Sequence, residues 1–302
     1  MTSQPLVSIV TPSRNMASYV RQTVESVLTQ TYPRIEYTLM DGGSTDGTVD
    51  IVRDLAPRAR IVTAANDGGA AAAINAGFAQ SAGEILGWLS ADDLYAPRAV
   101  ELAVAEFEKH PDADVVYGDG LWIDSEGKEI RPYPTRDFDP ALFGNDCYLC
   151  QPAVFFRRSA FERVGGLNPK LRTAYDYDLW IRLSRGGRFQ RVREVFACSR
   201  MHAGNKTFGD RETVLREAME LQRSYFHYVP MGWVFSYVVY KSDGLDQFWQ
   251  PLRPSVRTYF QSLPEGLRWN ARRPIRFFGD WLRKAPILID AVRAPRLGRA
   301  ES

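Results

Sequence analysis

From Leu6 to Gly118, short β-branched runs alternate with helical patterns, an order that fits a stack of βαβ units carrying a mostly parallel sheet. The strand-like runs cover residues 6–11, 35–41, 60–63, 84–89 and 114–118. Between them, apolar spacing predicts helices over 19–30, 48–55, 70–81 and 97–110. In such sheets a ligand sits beyond the carboxyl ends of the strands, so functional residues are expected just after a strand. Beyond Gly118 the alternation gives way to a mixed stretch, with a helix predicted over 177–185 and a strand over 190–198. From Arg211 onward the pattern is helical, then aromatic and divided into short segments by Pro251, Pro254, Pro264, Pro274 and Pro286. The chain thus reads as an α/β domain over residues 1–205, with halves meeting near residue 118, followed by a helical, basic region over 206–302.

Composition narrows the class. With 45% hydrophobic, 12% aromatic and 25% charged residues, the chain can bury a large core and is neither disordered nor fibrous. The net charge of +2 hides a split, because residues 251–302 carry 11 Lys/Arg against 4 Asp/Glu. A basic tail with interleaved Trp, Phe and Leu suits either a solvated surface helix or contact with an anionic surface, and a peripheral membrane contact is the partner it suggests. The sequence carries no nucleic-acid-binding motif. Cys147, Cys150 and Cys198 cannot build a disulfide framework, and Cys147-x-x-Cys150 is half of a structural zinc site, so all three read as reduced thiols. The N-terminus lacks the basic and apolar regions of a signal peptide, which points to the cytoplasm. The apolar stretch 228–240 is too short for the roughly 20 residues that cross a bilayer.

Polar clusters follow the strands. The first strand runs into Thr11-Pro12-Ser13-Arg14-Asn15, and the second into Asp41-Gly42-Gly43-Ser44-Thr45-Asp46-Gly47-Thr48. Asp41 can accept hydrogen bonds from a base or ribose while the glycines admit a ligand, or the loop can be a tight turn in which Asp46 caps the next helix. The strand over 84–89 ends in Ser90-Ala91-Asp92-Asp93-Leu94-Tyr95. Adjacent carboxylates repel one another and are awkward to bury without a cation, and oxygen ligands of this kind suit Mg2+ or Mn2+ completed by substrate phosphates. A solvent-exposed acidic loop is the alternative.

Together these pieces resemble glycosyltransferase family 2, with its inverting, nucleotide-sugar-dependent enzymes of GT-A fold. The likeness covers about residues 5–205. It rests on Val7-Ser8-Ile9-Val10-Thr11-Pro12, the Asp41–Thr48 loop, Asp67-x-Gly69 with Ala73-x-Asn75-x-Gly77, and Ala91-Asp92-Asp93-x-Tyr95. Gln151-Pro152, Gly165-Gly166-Leu167, Asp176-Tyr177-Asp178-Leu179-Trp180 and Arg200-Met201-His202 complete it. The resemblance implies a Rossmann-like three-layer sandwich, with Thr11, Pro12, Arg14, Asp41, Asp67, Asn75 and Asp92 around the nucleotide-sugar. It further implies Asp93 and His202 on a Mn2+ or Mg2+ ion, Asp176 as catalytic base, and Tyr175 and Trp180 at the acceptor. Asp178 is the alternative base. A base that deprotonates the acceptor hydroxyl is the one carboxylate needed, since a nucleoside diphosphate leaves readily once a cation offsets its charge.

Two departures matter. Tyr175 stands where the family often has Glu, and Glu265-Gly266-Leu267-Arg268-Trp269 stands in place of the Gln-x-x-Arg-Trp of processive synthases. A single-addition enzyme is expected, using UDP in preference to GDP or dTDP, on a saccharide or lipid-linked saccharide acceptor. The rivals are a sugar nucleotidyltransferase, disfavoured because Thr11–Asn15 has no glycine and only Arg14 to hold a triphosphate, and a carbohydrate-binding protein with a decayed site.

Overall fold

A computed structural model describes residues 4–63, 68–244 and 255–286. Two compact units divide the chain, one of residues 1–143 and 147–209, the other of 144–146 and 210–302. Asp67, Pro251, Pro254 and residues 287–302 of the basic tail lie outside the described residues.

The first unit is built on a mixed sheet. Its strands are β1 (Val7–Ser13), β2 (Ile35–Asp41), β3 (Arg60–Thr63), β4 (Ile85–Trp88), β5 (Leu94–Tyr95), β6 (Val115–Ile123), β7 (Glu129–Pro132), β8 (Val154–Arg157) and β9 (Phe189–Arg200). They lie in the order β3-β2-β1-β4-β8-β6-β9-β5, with β7 beside β6. β1, β2, β3 and β4 are mutually parallel, as right-handed crossovers through α1 (Val20–Leu28), α2 (Thr48–Leu55) and α3 (Ala70–Ala79) require. β8 is antiparallel to both β4 and β6, while β6 and β9 run parallel. Completing the unit are α4 (Ala99–Lys109), α5 (Arg158–Arg163), α6 (Tyr175–Ser184) and α7 (Lys206–Gly209). Val7, Ile9, Leu39, Ile85 and Val116 of the central strands pack with Val20, Val24, Val100 and Phe107 of the helices in one buried core. No disulfide joins Cys147, Cys150 or Cys198.

Burial on both faces explains why β1 reads as a continuous apolar run, and it extends two residues past the expected end, through Ser13. β5, β7 and β8 have no counterpart in the sequence reading: β5 has only two residues, β7 is exposed along its length, and β8 follows directly on Gln151-Pro152-Ala153 and owes its place to pairing with β4 and β6.

The second unit holds α8 (Arg211–Phe226), α9 (Met231–Asp243), α10 (Val256–Trp269) and α11 (Pro274–Arg283). Met219, Val234, Phe235, Val239, Tyr259, Phe277 and Trp281 form its core. A Cβ on Gly266 would lie 1.8 Å from the Phe277 ring, so only glycine permits this packing of α10 on α11. Pro264 does not divide α10 as expected. Its missing N–H would have faced the carbonyl of Phe260, a residue 56% exposed, where water can replace the lost bond. Pro274 starts α11 at a position where no N–H is needed. No helix among the described residues is long and apolar enough to cross a membrane.

Candidate active site

At the carboxyl ends of β1 and β2, two loops are stitched together. Gly42 N–H donates to the Ser13 carbonyl (2.8 Å), Asn15 N–H to Ser44 Oγ (2.8 Å) and Thr45 N–H to Asn15 Oδ1 (2.9 Å). Asp46 Oδ2 accepts from Ala17 N–H at 2.9 Å, and Oδ1 accepts from Thr48 N–H at 3.1 Å, which supplies the first turn of α2 with an acceptor. Gly47, just before that helix, has φ of 90°, a conformation that favours glycine. Burial alone would raise the Asp46 carboxyl, but the hydrogen bonds from Thr48 and Ala17 outweigh it and hold it below the usual range.

This stitching changes the reading of several expected nucleotide contacts. Asp41 is buried, and its carboxylate accepts from Gly43 N–H (3.1 Å), Ser44 N–H (3.0 Å) and the Ser44 hydroxyl, so it shapes its own loop. β1 continues beyond Thr11, whose side chain is fully buried inside the strand. Pro12 is half-buried at the strand's end and Arg14 is exposed on the loop that follows. Asn75 donates from Nδ2 to the Leu167 carbonyl (2.8 Å) and accepts from Leu167 N–H (2.9 Å), which gives it a bracing role between α3 and the Gly165-Gly166 turn.

The acidic pair lies on the turn between β4 and β5, where Asp93 N–H donates to the Ser90 carbonyl. β5 pairs with β9, Leu94 opposite Cys198, and so brings Arg200 and His202 against the acids. Both carboxylates are buried. Asp93 Oδ1 accepts from Arg200 N–H at 2.8 Å, and the Asp93 carbonyl accepts from Thr23 Oγ1 at 2.9 Å. Burial, then the neighbouring Asp92, pushes the Asp93 carboxyl well above the ordinary carboxylate range. Asp92 faces the other way, its Oδ2 3.0 Å from His202 Nε2. The His202 ring packs on Tyr19, centroids 4.5 Å apart.

Sequence reasoning missed Arg200 as a site residue, although it sits in a quoted motif. It is 1% exposed. Its Nε donates to the Asp92 carbonyl (2.8 Å), Nη1 to the carbonyls of Asp124 (3.2 Å) and Ser125 (3.0 Å), and Nη2 to Gln22 Oε1 (2.7 Å). The guanidinium also covers the Tyr19 ring at 5.1 Å.

Helix α6 brings the remaining carboxylates. Tyr177 N–H donates to Asp176 Oδ1 at 2.7 Å. The Tyr175 phenol beside it is raised far above its ordinary value, by burial first and then by the negative charges of Asp176, Asp92 and Asp93. Asp178 is 1% exposed and its Oδ2 accepts from Arg182 Nε (2.9 Å) and Nη2 (2.7 Å). Trp180, expected at the acceptor, lies in the core. It is fully buried, stacked on Trp88 at 5.5 Å and set edge-on to Phe156 at 6.0 Å, because α6 turns that face to the sheet.

Comparison with known proteins agrees with this architecture. The family model described as Glycosyl transferase family 2 matches residues 8–165, over half the chain. An uncharacterized glycosyltransferase of Rickettsia typhi is 32% identical over 68% of this chain and 67% of its own length. A chondroitin synthase of Pasteurella multocida is 32% identical over 69% of this chain, and a hyaluronan synthase of the same organism 32% over 67%; the matches span only 22% and 21% of those proteins' lengths. Among solved structures, S. aureus TarS in complex with UDP-GlcNAc superposes with a TM-score of 0.63 at 15% identity, over 95% of this chain and 89% of that one, and carries the same GT-A fold. Given the matched family model and the Rickettsia relative, with the fold in agreement, the chain belongs to glycosyltransferase family 2.

Proposed function

We propose that the chain transfers one sugar from a nucleoside-diphosphate donor to a saccharide hydroxyl with inversion at the anomeric carbon. The observation that carries this is the buried Asp92-Asp93 turn beyond β4, with Asp92 Oδ2 3.0 Å from His202 Nε2 and Asp93 held by the Arg200 N–H, in a chain of glycosyltransferase family 2. UDP is the favoured carrier, because TarS has been solved with UDP and with UDP-GlcNAc, whereas a Pyrobaculum calidifontis mannosyltransferase was solved with GDP-Man and Mn2+. The Pasteurella relatives favour a growing polysaccharide as acceptor.

The residues fit a divalent cation, with Asp92 rather than Asp93 as the carboxylate ligand. Neighbouring ligands on an octahedral ion, at about 2.1 Å each, lie about 3.0 Å apart. Asp92 Oδ2 and His202 Nε2 are 3.0 Å apart, while Asp93 is occupied with the Arg200 main chain. Among the described residues no three His, Cys, Asp or Glu side chains cluster for a metal, so donor phosphates or water would complete the shell. An imidazole ligand favours Mn2+ over Mg2+. When bound, the cation would offset the charge on the departing diphosphate.

Asp176 takes the proton from the acceptor hydroxyl as that oxygen attacks the anomeric carbon, and a single displacement inverts it. The Tyr177 N–H fixes the orientation of the base. Arg200 keeps Asp92 in place through its carbonyl. The test compares Asp176→Asn with Asp92→Ala, each assayed for UDP binding with and without Mn2+ and for turnover on a UDP-sugar panel. Asp176→Asn should bind as wild type and transfer nothing; Asp92→Ala should lose the Mn2+-dependent part of binding. Turnover retained by Asp176→Asn would remove it from the chemistry.

A further inference from the structure

The surface of the second unit is unlike the rest. Eight large apolar side chains are exposed among the described residues, and five of them, Val256, Phe260, Ile275, Phe278 and Leu282, lie on α10 and α11. Scattered exposed hydrophobics are ordinary; a cluster is not. Ile275, Phe278 and Leu282 recur three and four residues apart, on one stripe of α11, as Val256 and Phe260 do on α10. The stripes join, because the Phe260 and Phe278 rings stand 5.8 and 6.0 Å from Trp281 between them. Ile275, the outermost, is 87% exposed.

Cations rim this patch. Arg257, Arg272, Arg273, Arg276, Arg283 and Lys284 are all exposed on the same two helices and the turn between them. Two acids stand among them: Glu265, which accepts from Trp269 Nε1 at 2.8 Å, and Asp280, which accepts from the Tyr228 hydroxyl and offsets Arg283. With these six exposed cations against the two acids, the field is positive around an apolar centre. A second copy of this chain would bring the same cations against it, and a polyanion alone would leave the apolar stripe in water. An anionic lipid leaflet answers both features, taking the cations at its headgroups and the stripe at the acyl boundary.

We infer that the α10–α11 face is an interfacial surface that docks the protein on an anionic membrane leaflet. This rests on the surface itself and stands whether or not the proposed reaction does.

The experiment is cosedimentation of the full chain with vesicles of phosphatidylglycerol and phosphatidylcholine, and with phosphatidylcholine alone. Two variants accompany it: Ile275→Ser, Phe278→Ser and Leu282→Ser combined, and Arg272→Gln with Arg273→Gln. Ile275→Ser alone serves as the variant least able to disturb folding, and melting curves check all three. Wild type should bind the anionic vesicles, release with salt, and ignore phosphatidylcholine. The two-arginine variant should weaken binding about tenfold or more, since each cation near an anionic surface contributes about 1 kcal/mol, and the apolar variant should weaken it at least as much, since it removes three large side chains from the acyl boundary. Absence of binding to anionic vesicles, or undiminished binding by both folded variants, overturns the inference. So does a sedimentation-velocity dimer that the apolar variant abolishes, which would assign the face to a second copy.

Discussion

Replacing Arg200 by Met keeps the length and most of the bulk of a 1%-exposed side chain and removes its guanidinium. Four hydrogen bonds disappear, to Asp92, Asp124, Ser125 and Gln22; the Arg200 N–H to Asp93 survives because it belongs to the main chain. A bond from a charged donor contributes about 1.5–3 kcal/mol, but Ser125 and Gln22 are exposed and Asp124 half-exposed, so water can replace those three. The bond to the buried Asp92 then sets the loss at about 1.5–3 kcal/mol. For a unit of this size that corresponds to a melting-temperature drop of about 3–12 °C. Calorimetry should show the lower-melting transition, and titration with UDP and Mn2+ should show weaker binding, because the Asp92 turn has lost its anchor. Arg200→Lys should recover little, as one ammonium cannot reach the same separated acceptors. A Met variant melting within about 2 °C of wild type, with unaltered UDP affinity, would refute the idea that this side chain holds the acidic turn.

Asp178→Ala should cost about 2–4 kcal/mol of stability by stranding Arg182, somewhat under the loss for a fully buried pair because Arg182 is 19% exposed, yet leave turnover per folded molecule near wild type. A loss of kcat matching that of Asp176→Asn would instead give Asp178 the part of the base. Asp46, whose carboxyl is lowered on folding, contributes stability above the ordinary carboxylate range and loses it as pH falls through the depressed value. Urea titrations below about pH 4 should therefore find wild type losing stability faster than Asp46→Asn; parallel curves would mean that the hydrogen bonds from Thr48 and Ala17 contribute nothing.

The parallel half of the sheet was legible because β1, β2 and β4 are buried on both faces and their crossover helices keep a clean apolar stripe. β8 was not, for its four residues follow directly on Gln151-Pro152-Ala153 and owe their pairing to β4 and β6, far off in sequence. The acidic turn was found from Asp92-Asp93 alone, but which of the two meets His202 depends on the course of the backbone, and neighbouring identical residues look alike in one dimension. Asp178 could have been set aside earlier, since Arg182 lies one turn further along α6. Trp180 stands beside a carboxylate, as a sugar platform does, and its stacking on Trp88 becomes visible only once α6 is placed. Nothing local marks Arg200: its side-chain partners come from three separate places in the chain, at Gln22, Asp92 and Asp124–Ser125.

The bond between Asp93 and Arg200 spans 107 residues, which sets a schedule for the protein's birth. Synthesis proceeds from the N-terminus, and the first four strands can begin to associate while later ones are still being made. Asp92 and Asp93 emerge early, yet their clamp arrives only with the last strand of the unit, and His202 two residues later. A nascent chain thus carries its acids for a long interval before they can be gathered, and a fragment cut where the matched family region ends, at residue 165, would lack Asp176, Arg200 and His202 together. On the proposed function, donor handling is a late-acquired property of the polypeptide, completed only when the strand carrying Arg200 closes on the acidic turn.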